Sequence, residues 1–286
     1  MNNSTNISVI YLCWVPYGIN LLKQFIQSYQ FFPANAPHQL VIVFNGIKNE
    51  TDYKPFLDFA SNTLQNDFKY LVMESGQDIA AYKYAANQLT TTYIFCFNSF
   101  SKILAPNWLY KYQQAFLQPN IGMVSSTASC QSHINNVFEE NKLAWEFNVP
   151  FINNFRKYKL FIKTITFWYF LFKPFPNPHL RTTGFMINRK LFLSIKHKPL
   201  NTKFNAYLFE SGRNGFTNQL IKKGFTSLLI DKNGNTFTLN NMHTSKTFWL
   251  KKQQDLMVAD NQTEIYENAT VELQLKMSKK AWGNNA

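Results

Sequence analysis

The sequence predicts an α/β fold with a mostly parallel central sheet flanked by helices, and three observations carry that prediction. Short unbroken apolar runs, rather than alternating ones, recur along the first half, as strands covered on both faces require. Between them lie stretches with apolar residues at helical spacing. The two kinds of segment alternate at the pitch of strand–helix–strand crossovers, which set helices on both faces of a parallel sheet. A chain of 286 residues is ample for one large core of this kind.

Taken in order, Ile7–Trp14 (ISVIYLCW) is a β-branched apolar run and the first strand. Gly18–Phe32 carries Leu21, Leu22, Phe25, Ile26 and Tyr29 on one helical face. Gln39–Phe44 is a second buried strand, stopped by the turn dipeptide Asn45-Gly46. Tyr53–Leu64 reads as helix, Tyr70–Met73 as strand, Ile79–Leu89 as helix and Thr92–Phe97 as strand. Asn107–Leu117 is a helix with an Asn107 start and a Pro119 stop, and Ile121–Ser126 closes the series. Later, Gly184–Ile187 and Thr226–Ile230 read as strands, and Arg189–Ile195 and Phe216–Lys223 as helices. The chain divides into a first half at 1–130, a second half at 131–232 and a polar C-terminal extension at 233–286. Open sheets of this type bind ligands beyond the carboxyl ends of their strands. That marks the loop after Trp14, Asn45–Asn49, Ser75–Asp78 and Asn98–Ser101 as the candidate loops.

Composition narrows the partners. Aromatic residues make up 17% and charged residues only 16%, with 29 Lys and Arg against 16 Asp and Glu, a net charge of +13. Such a surplus favours anionic partners: nucleotide diphosphates, phospholipid headgroups or nucleic acid. No nucleic-acid motif accompanies it, so nucleic acid is not the expected partner. No GxGxxG follows the first strand, where Pro16-Tyr17-Gly18 stands, which sets aside a dinucleotide oxidoreductase. Cys13, Cys96 and Cys130 are widely spaced, with no zinc pattern, as thiols in a reducing compartment would be. The polar start before Ile7 has no basic flank and does not read as a signal peptide, so a cytoplasmic protein is expected. Phe155–Phe175 interleaves five Lys and Arg with aromatic residues. Its uncharged stretch, Thr164–Phe172, is too short to span a bilayer. Two readings stand: a segment lying in an anionic membrane interface, or a helix lining an aromatic cleft.

In order and spacing, the motifs resemble the GT-A glycosyltransferases, the inverting family-two group in particular. The resemblance runs from Ile7 to Ile230 and rests on Ile7–Ile10, Val41–Gly46, Ser75–Tyr82 with Ala85-Ala86-Asn87, and Ala105–Leu109. It continues through Gly184–Phe192 and Phe209–Arg213. It implies transfer of a sugar from a nucleotide-sugar donor to a glycan or lipid-linked acceptor, in polysaccharide biosynthesis. By that resemblance Asn45 reads the donor and Glu210 is the base that deprotonates the acceptor hydroxyl; Asp78, a carboxylate in a candidate ligand loop, is a further donor contact. Other readings of the same residues stay open. Asn45 can be only a turn residue, Asp78 only a helix N-cap, and Glu210 only a surface or helix N-terminal charge.

The departure from the family lies at its DxD motif, whose place is taken by Asn98-Ser99-Phe100-Ser101. Divalent Mn or Mg wants anionic oxygen ligands, and this stretch offers none. The expectation is a site in which cationic side chains stabilise the leaving diphosphate, with a divalent metal, Mn or Mg, still possible. Candidates are Lys102 beside Ser99 and Ser101, Arg181, Arg213, and His243 with Lys246 in the tail, with His179 on the acceptor side. The run Ala259–Thr263 either completes the acceptor pocket or caps the tail, and His38, His133 and His197 read as solvated. The alternative function is a catalytically degenerate protein that binds sugar nucleotide or glycan.

Overall fold

A computed structural model of the chain describes residues 6–134, 166–200 and 202–285. The first half runs β1 (Ile7–Trp14), α1 (Ile19–Phe31), β2 (Gln39–Asn45), α2 (Glu50–Leu64) and β3 (Lys69–Met73). It continues with α3 (Asp78–Gln88), β4 (Tyr93–Phe97), β5 (Lys102–Ile103), α4 (Trp108–Phe116) and β6 (Ile121–Ser125). The second half adds β7 (Ala128–Ser129), β8 (His179–Leu180), β9 (Phe185–Asn188), α5 (Arg189–Ser194), α6 (Lys203–Ser211) and α7 (Phe216–Lys222). Last come β10 (Thr226–Ile230), β11 (Thr236–Thr238), β12 (Val258–Ala259), α8 (Asn261–Glu267) and α9 (Val271–Trp282). Eight strands form one sheet in the order β11-β10-β6-β9-β4-β1-β2-β3. Its β2, β3 and β4 pairings are parallel around β1, as is β6 with β10, while β9 runs antiparallel between β4 and β6.

The period-two alternation of β1 explains why its whole length is apolar. Ile10 and Leu12 face one core layer, while Val9, Tyr11 and Cys13 face the other. On the second side, α1 supplies Leu22, Phe25 and Ile26 and α4 supplies Trp108, Leu109 and Tyr112. Tyr11 stacks on Phe25 at 3.8 Å between ring centroids. On the first side, α3 packs Ile79, Ala81, Tyr82, Ala85 and Ala86 against the sheet, joined by Phe192, Phe216 and Leu220. Helices thus cover both faces, which is the α/β architecture the apolar runs predict.

The strands and helices of the first half lie within a few residues of their expected bounds. The largest difference is α2, which begins at Glu50 because the Asp52 carboxylate accepts from the backbone N–H groups of Lys48 and Asn49, at 2.7 and 3.0 Å. Two regions differ more. The turn-like Ser211–Asn214 is preceded by a full helix, α6, which the sequence reading lacks. The extension, polar in composition, contributes to the core: Phe248, Trp249, Leu250, Tyr266, Ala281 and Trp282 are buried in the same core layer as α3. Within it, β12 pairs antiparallel with β5, and Trp282 Nε1 donates to Phe248 O at 2.8 Å. Of the basic aromatic segment, 155–165 lie outside the described residues, and 166–171 are helical. Among the described residues no helix is long and apolar enough to cross a membrane.

Candidate active site

The sheet brings its chemistry to one edge. At the carboxyl ends of β1, β3 and β4 lie Trp14–Tyr17, Gly76–Asp78 and Asn98–Phe100. Because β9 runs the other way, the residues before it, Arg181–Gly184, arrive at that same edge. Gly184 makes the turn into β9 with φ of 62°, where a Cβ would meet Ser126 Oγ at 2.6 Å, so only glycine fits. These loops, one face of α6 and the start of α8 enclose a cleft of about 390 Å³. On α6 the cleft-facing residues are Lys203, Ala206, Tyr207 and Glu210, at helical spacing i, i+3, i+4 and i+7.

Glu210 sits in the last turn of α6, not at a helix N-terminus, and is half-buried. Its Oε1 accepts from the Thr182 backbone N at 2.9 Å and from Thr182 Oγ1 at 3.4 Å. It lines both the cleft and a second cavity of about 570 Å³. Arg181 also lines both. Its Nη2 donates to Asp260 Oδ2 at 3.4 Å, and its guanidinium lies over the Phe248 ring at 4.0 Å. Nη1 is buried with no hydrogen-bond partner among the described residues. Asp260 caps α8 by accepting from Gln262 N and Thr263 N through Oδ1, both at 3.0 Å. In the Ala259–Thr263 run, Asp260 thus caps α8, and Asp260 and Asn261 line the cleft.

Asp78 is the first residue of α3, with Gln77 as the N-cap, so the capping role read from the sequence does not apply. Its carboxylate opens onto the cleft but is hemmed by protein. Desolvation, then the nearby charge of Glu210 and more distantly of Asp260, push its pKa up to about 6.

Several other candidates are placed where their polar atoms serve the fold. Asn45 is buried at the end of β2, and its Nδ2 donates to Gly76 O at 2.9 Å while Oδ1 accepts from Gly46 N at 2.8 Å. It holds the Gly76 loop from behind and does not line the cleft. Asn98 accepts from Phe100 N and Ser101 Oγ at 3.1 and 3.0 Å and donates to Thr183 Oγ1 at 3.1 Å. Ser99 Oγ bridges Leu12 O and Trp14 N, at 2.9 and 3.0 Å. Ser99 and Asn98 still line the cleft; Ser101 lies beneath it.

The cationic candidates divide sharply. Arg181 alone of them enters the cleft. Lys102 is drawn off by a salt bridge to Glu264. Arg213 donates through Nε to Tyr169 O at 2.6 Å and lines a depression on the other face of α6. His243 and Lys246 lie in and beside a short 3-10 turn, Met242–Thr244, outside both cavities. Sequence spacing could not foresee this, since each cation's direction depends on a partner far along the chain. Lys203 enters the cleft unforeseen, because its helix was not read.

His179 is buried in the second cavity, its Nδ1 bonded to Asn177 O at 2.7 Å, and burial lowers its pKa. His133 lies there too, 4.5 Å from the Tyr207 ring, and burial pushes its pKa down to about 4. It is not solvated, nor is His38, whose two ring nitrogens bond Tyr29 Oη at 2.6 Å and Ala36 O at 2.8 Å. Trp168, Tyr207, Phe248 and Trp249 make the wall of this cavity strongly aromatic. At the cleft mouth, Tyr17 is exposed and 5.1 Å from Phe100.

Asn98–Ser101 offers a divalent metal no carboxylate ligand. The positions where carboxylates would stand hold Asn98, Ser99 and Ser101, whose oxygens are committed inside the protein. Among the described residues no group of three His, Cys, Asp or Glu is arranged to hold an ion.

No family model matches the chain, and no curated protein matches it. Solved structures give partial overlaps. The mannosyltransferase PcManGT of Pyrobaculum calidifontis, in complex with GDP-Man and Mn2+, overlaps over 48% of this chain and 39% of its own, at 13% identity and a TM-score of 0.36. S. aureus TarS 1-349 overlaps over 42% and 35%, at 16% identity and 0.32. GalNAc-T7 with UDP, GalNAc and Mn2+ overlaps over 44% and 23%, at 16% identity and 0.36. The chain spans less than half the length of each, and overlaps this slight decide neither ligand nor activity.

Proposed function

We propose that this chain is a GT-A-type, family-two-like glycosyltransferase that moves a sugar from a nucleotide-sugar donor to a glycan or lipid-linked acceptor in polysaccharide biosynthesis. One observation carries the reading: Glu210 and Arg181 stand in the wall between two cavities, so a base and a cation meet where two substrates would. The donor lies in the smaller cleft. Its base stacks against Tyr17 at the mouth, Asp78 accepts from a donor hydroxyl, and Arg181 with Lys203 faces the diphosphate. The acceptor enters the larger cavity, past His179, and stacks on its aromatic wall.

Transfer is then a direct displacement. The acceptor oxygen attacks the anomeric carbon, the bond from that carbon to the diphosphate oxygen breaks, and Glu210 takes the hydroxyl proton. The nucleoside diphosphate departs with the electron pair, its charge stabilised by Arg181 and Lys203. The reaction inverts the anomeric centre, since attack comes from the acceptor cavity opposite the donor cleft. No metal takes part in this scheme. Asn98, Ser99 and Ser101 shape the cleft floor. The three thiols, free in the structure, suit a cytoplasmic setting.

Calorimetric titration with UDP, GDP, dTDP and CMP, each with Mn2+ and again with EDTA, tests the reading. Binding of one nucleotide that survives EDTA is expected. Binding that vanishes with EDTA would remove metal independence, and no binding under either condition would leave a degenerate glycan-binding protein.

A further inference from the structure

The face of α6 turned away from the cleft is built differently. There Phe170, Lys196, His197, Lys198 and Arg213 surround a shallow depression of about 270 Å³. The helical residues 166–171 form its rim and split their aromatic side chains two ways. Trp168 and Phe172, one turn apart, point inward and stack at 5.2 Å, with Trp168 lining the acceptor-side cavity. Phe167, Tyr169 and Phe170 point out and are 55%, 44% and 77% exposed. An apolar cluster of this kind on a surface marks a contact site.

Its charge setting says what it contacts. From Phe147 to Phe209 the sequence holds no Asp or Glu, and the depression is lined by Lys196, Lys198 and Arg213 with no acid among its described lining residues. The next acid, Glu210, is turned to the opposite side of α6, towards Thr182. Exposed aromatics ringed by cations, with no acid among them, match the layered chemistry of an anionic bilayer: apolar at headgroup depth, negative at the surface. We propose that this face docks on an anionic lipid bilayer, with Phe167 and Phe170 inserted and Lys196, Lys198 and Arg213 on the lipid phosphates. Because Trp168 of the same helix lines the cavity beside Glu210, docking holds that cavity near the headgroup layer. This last step, which makes the acceptor lipid-borne, rests on the transferase reading; the docking does not.

Sedimentation with lipid vesicles, in the absence of nucleotide, tests it. The protein is expected to pellet with vesicles of phosphatidylcholine and phosphatidylglycerol and to stay in solution with phosphatidylcholine alone. Lys196→Gln and Lys198→Gln should each weaken binding by about fivefold, as one basic residue at an anionic surface is worth. Phe170→Ser should weaken it at unchanged charge, and raised salt should weaken it further. Equal binding to both vesicles, binding to neither, or variants that bind like the parent protein would each overturn the proposal. Nucleotide titration of the same variants stays separate: its failure would sink the transferase reading and leave docking intact.

Discussion

The two walls of the cleft use their polar atoms in opposite ways. The wall from the first half, Asn98, Ser99 and Ser101 with Asn45 behind it, spends its side chains on neighbouring backbone and hydroxyl groups. The facing wall, from α6, the Arg181–Thr183 strand entry and the tail, holds charged groups that are incompletely paired. Glu210 bonds through Oε1 among the described residues, and Arg181 keeps an unpartnered Nη1. A buried nitrogen left so costs about 1–3 kcal/mol. The first wall is built as a scaffold; under the proposed transfer, the second would carry the reaction.

The largest expected effect follows from breaking the second wall at its base. Glu210→Gln keeps the carbonyl that accepts from Thr182 but cannot take a proton, so transfer should fall by about a hundred- to ten-thousand-fold. Nucleotide affinity should hardly change. Near-normal transfer in a turnover assay would remove Glu210 from the chemistry and return it to the role of a loop anchor.

Next comes Arg181. Asp260 is 1% exposed, so Arg181→Met leaves a buried carboxylate without its cation and should cost about 3–5 kcal/mol in thermal or urea unfolding. Adding Asp260→Asn, which can still cap α8, should restore much of that stability but not nucleotide binding. If the double change also restored binding, Arg181 would be a purely structural partner.

The first wall should fail differently. Asn98→Ala strands the Phe100 N–H and the Ser101 hydroxyl and removes a donor to Thr183, at a cost of about 2–3 kcal/mol. Affinity for nucleotide should change little in protein that remains folded. A large loss of affinity without loss of stability would mean this wall reads the donor after all.

The contrast between the walls also explains what the sequence could and could not reveal. The sheet was legible because unbroken apolar runs such as Ile7–Trp14 have few other places to go. The cleft loops were legible because strand ends in an open sheet are the loops with room for ligand: Trp14, Asp78 and Asn98 all line it. Side-chain direction was not. Lys102 sits beside the altered motif in sequence, yet Glu264, 162 positions on, takes its charge. Lys203 was missed as a site residue because it depends on a helix whose apolar signal is weak. Phe204 and Leu208 of α6 could have disclosed that helix through their i, i+4 spacing, with Thr202 as cap.

His133 extends the comparison to the second cavity. Its folded pKa of about 4 lies below the ordinary 6.5, because burial outweighs the attraction of Glu210, while His179 and Lys280 add to the lowering. The unfolded chain therefore binds the proton more readily. Its contribution is whole above about pH 6.5 and is lost as pH falls towards 4, amounting to about 2–3 kcal/mol. His133→Leu should flatten that part of the acid unfolding profile. An unchanged profile would show that the ring is already open to water.

Asp78 gives the smallest effect and the opposite sign. Its pKa of about 6 lies above the free value of 3.8, so between those pH values the folded protein holds more protons than the unfolded chain. Stability rises as pH falls through that window, and the cost of the charge is fully present above it. Asp78→Asn removes that cost. Because the carboxylate opens on the cleft, solvent screening reduces the gain at neutral pH to about 1 kcal/mol, or about 2 °C in Tm. If the carboxylate also accepts from a donor hydroxyl, the same change weakens nucleotide-sugar binding while it stabilises the fold. Differential scanning calorimetry with and without nucleotide reads both. A stabilised protein with unaltered affinity would assign Asp78 to the scaffold, whereas a destabilised one would mean that an unseen cation neutralises it.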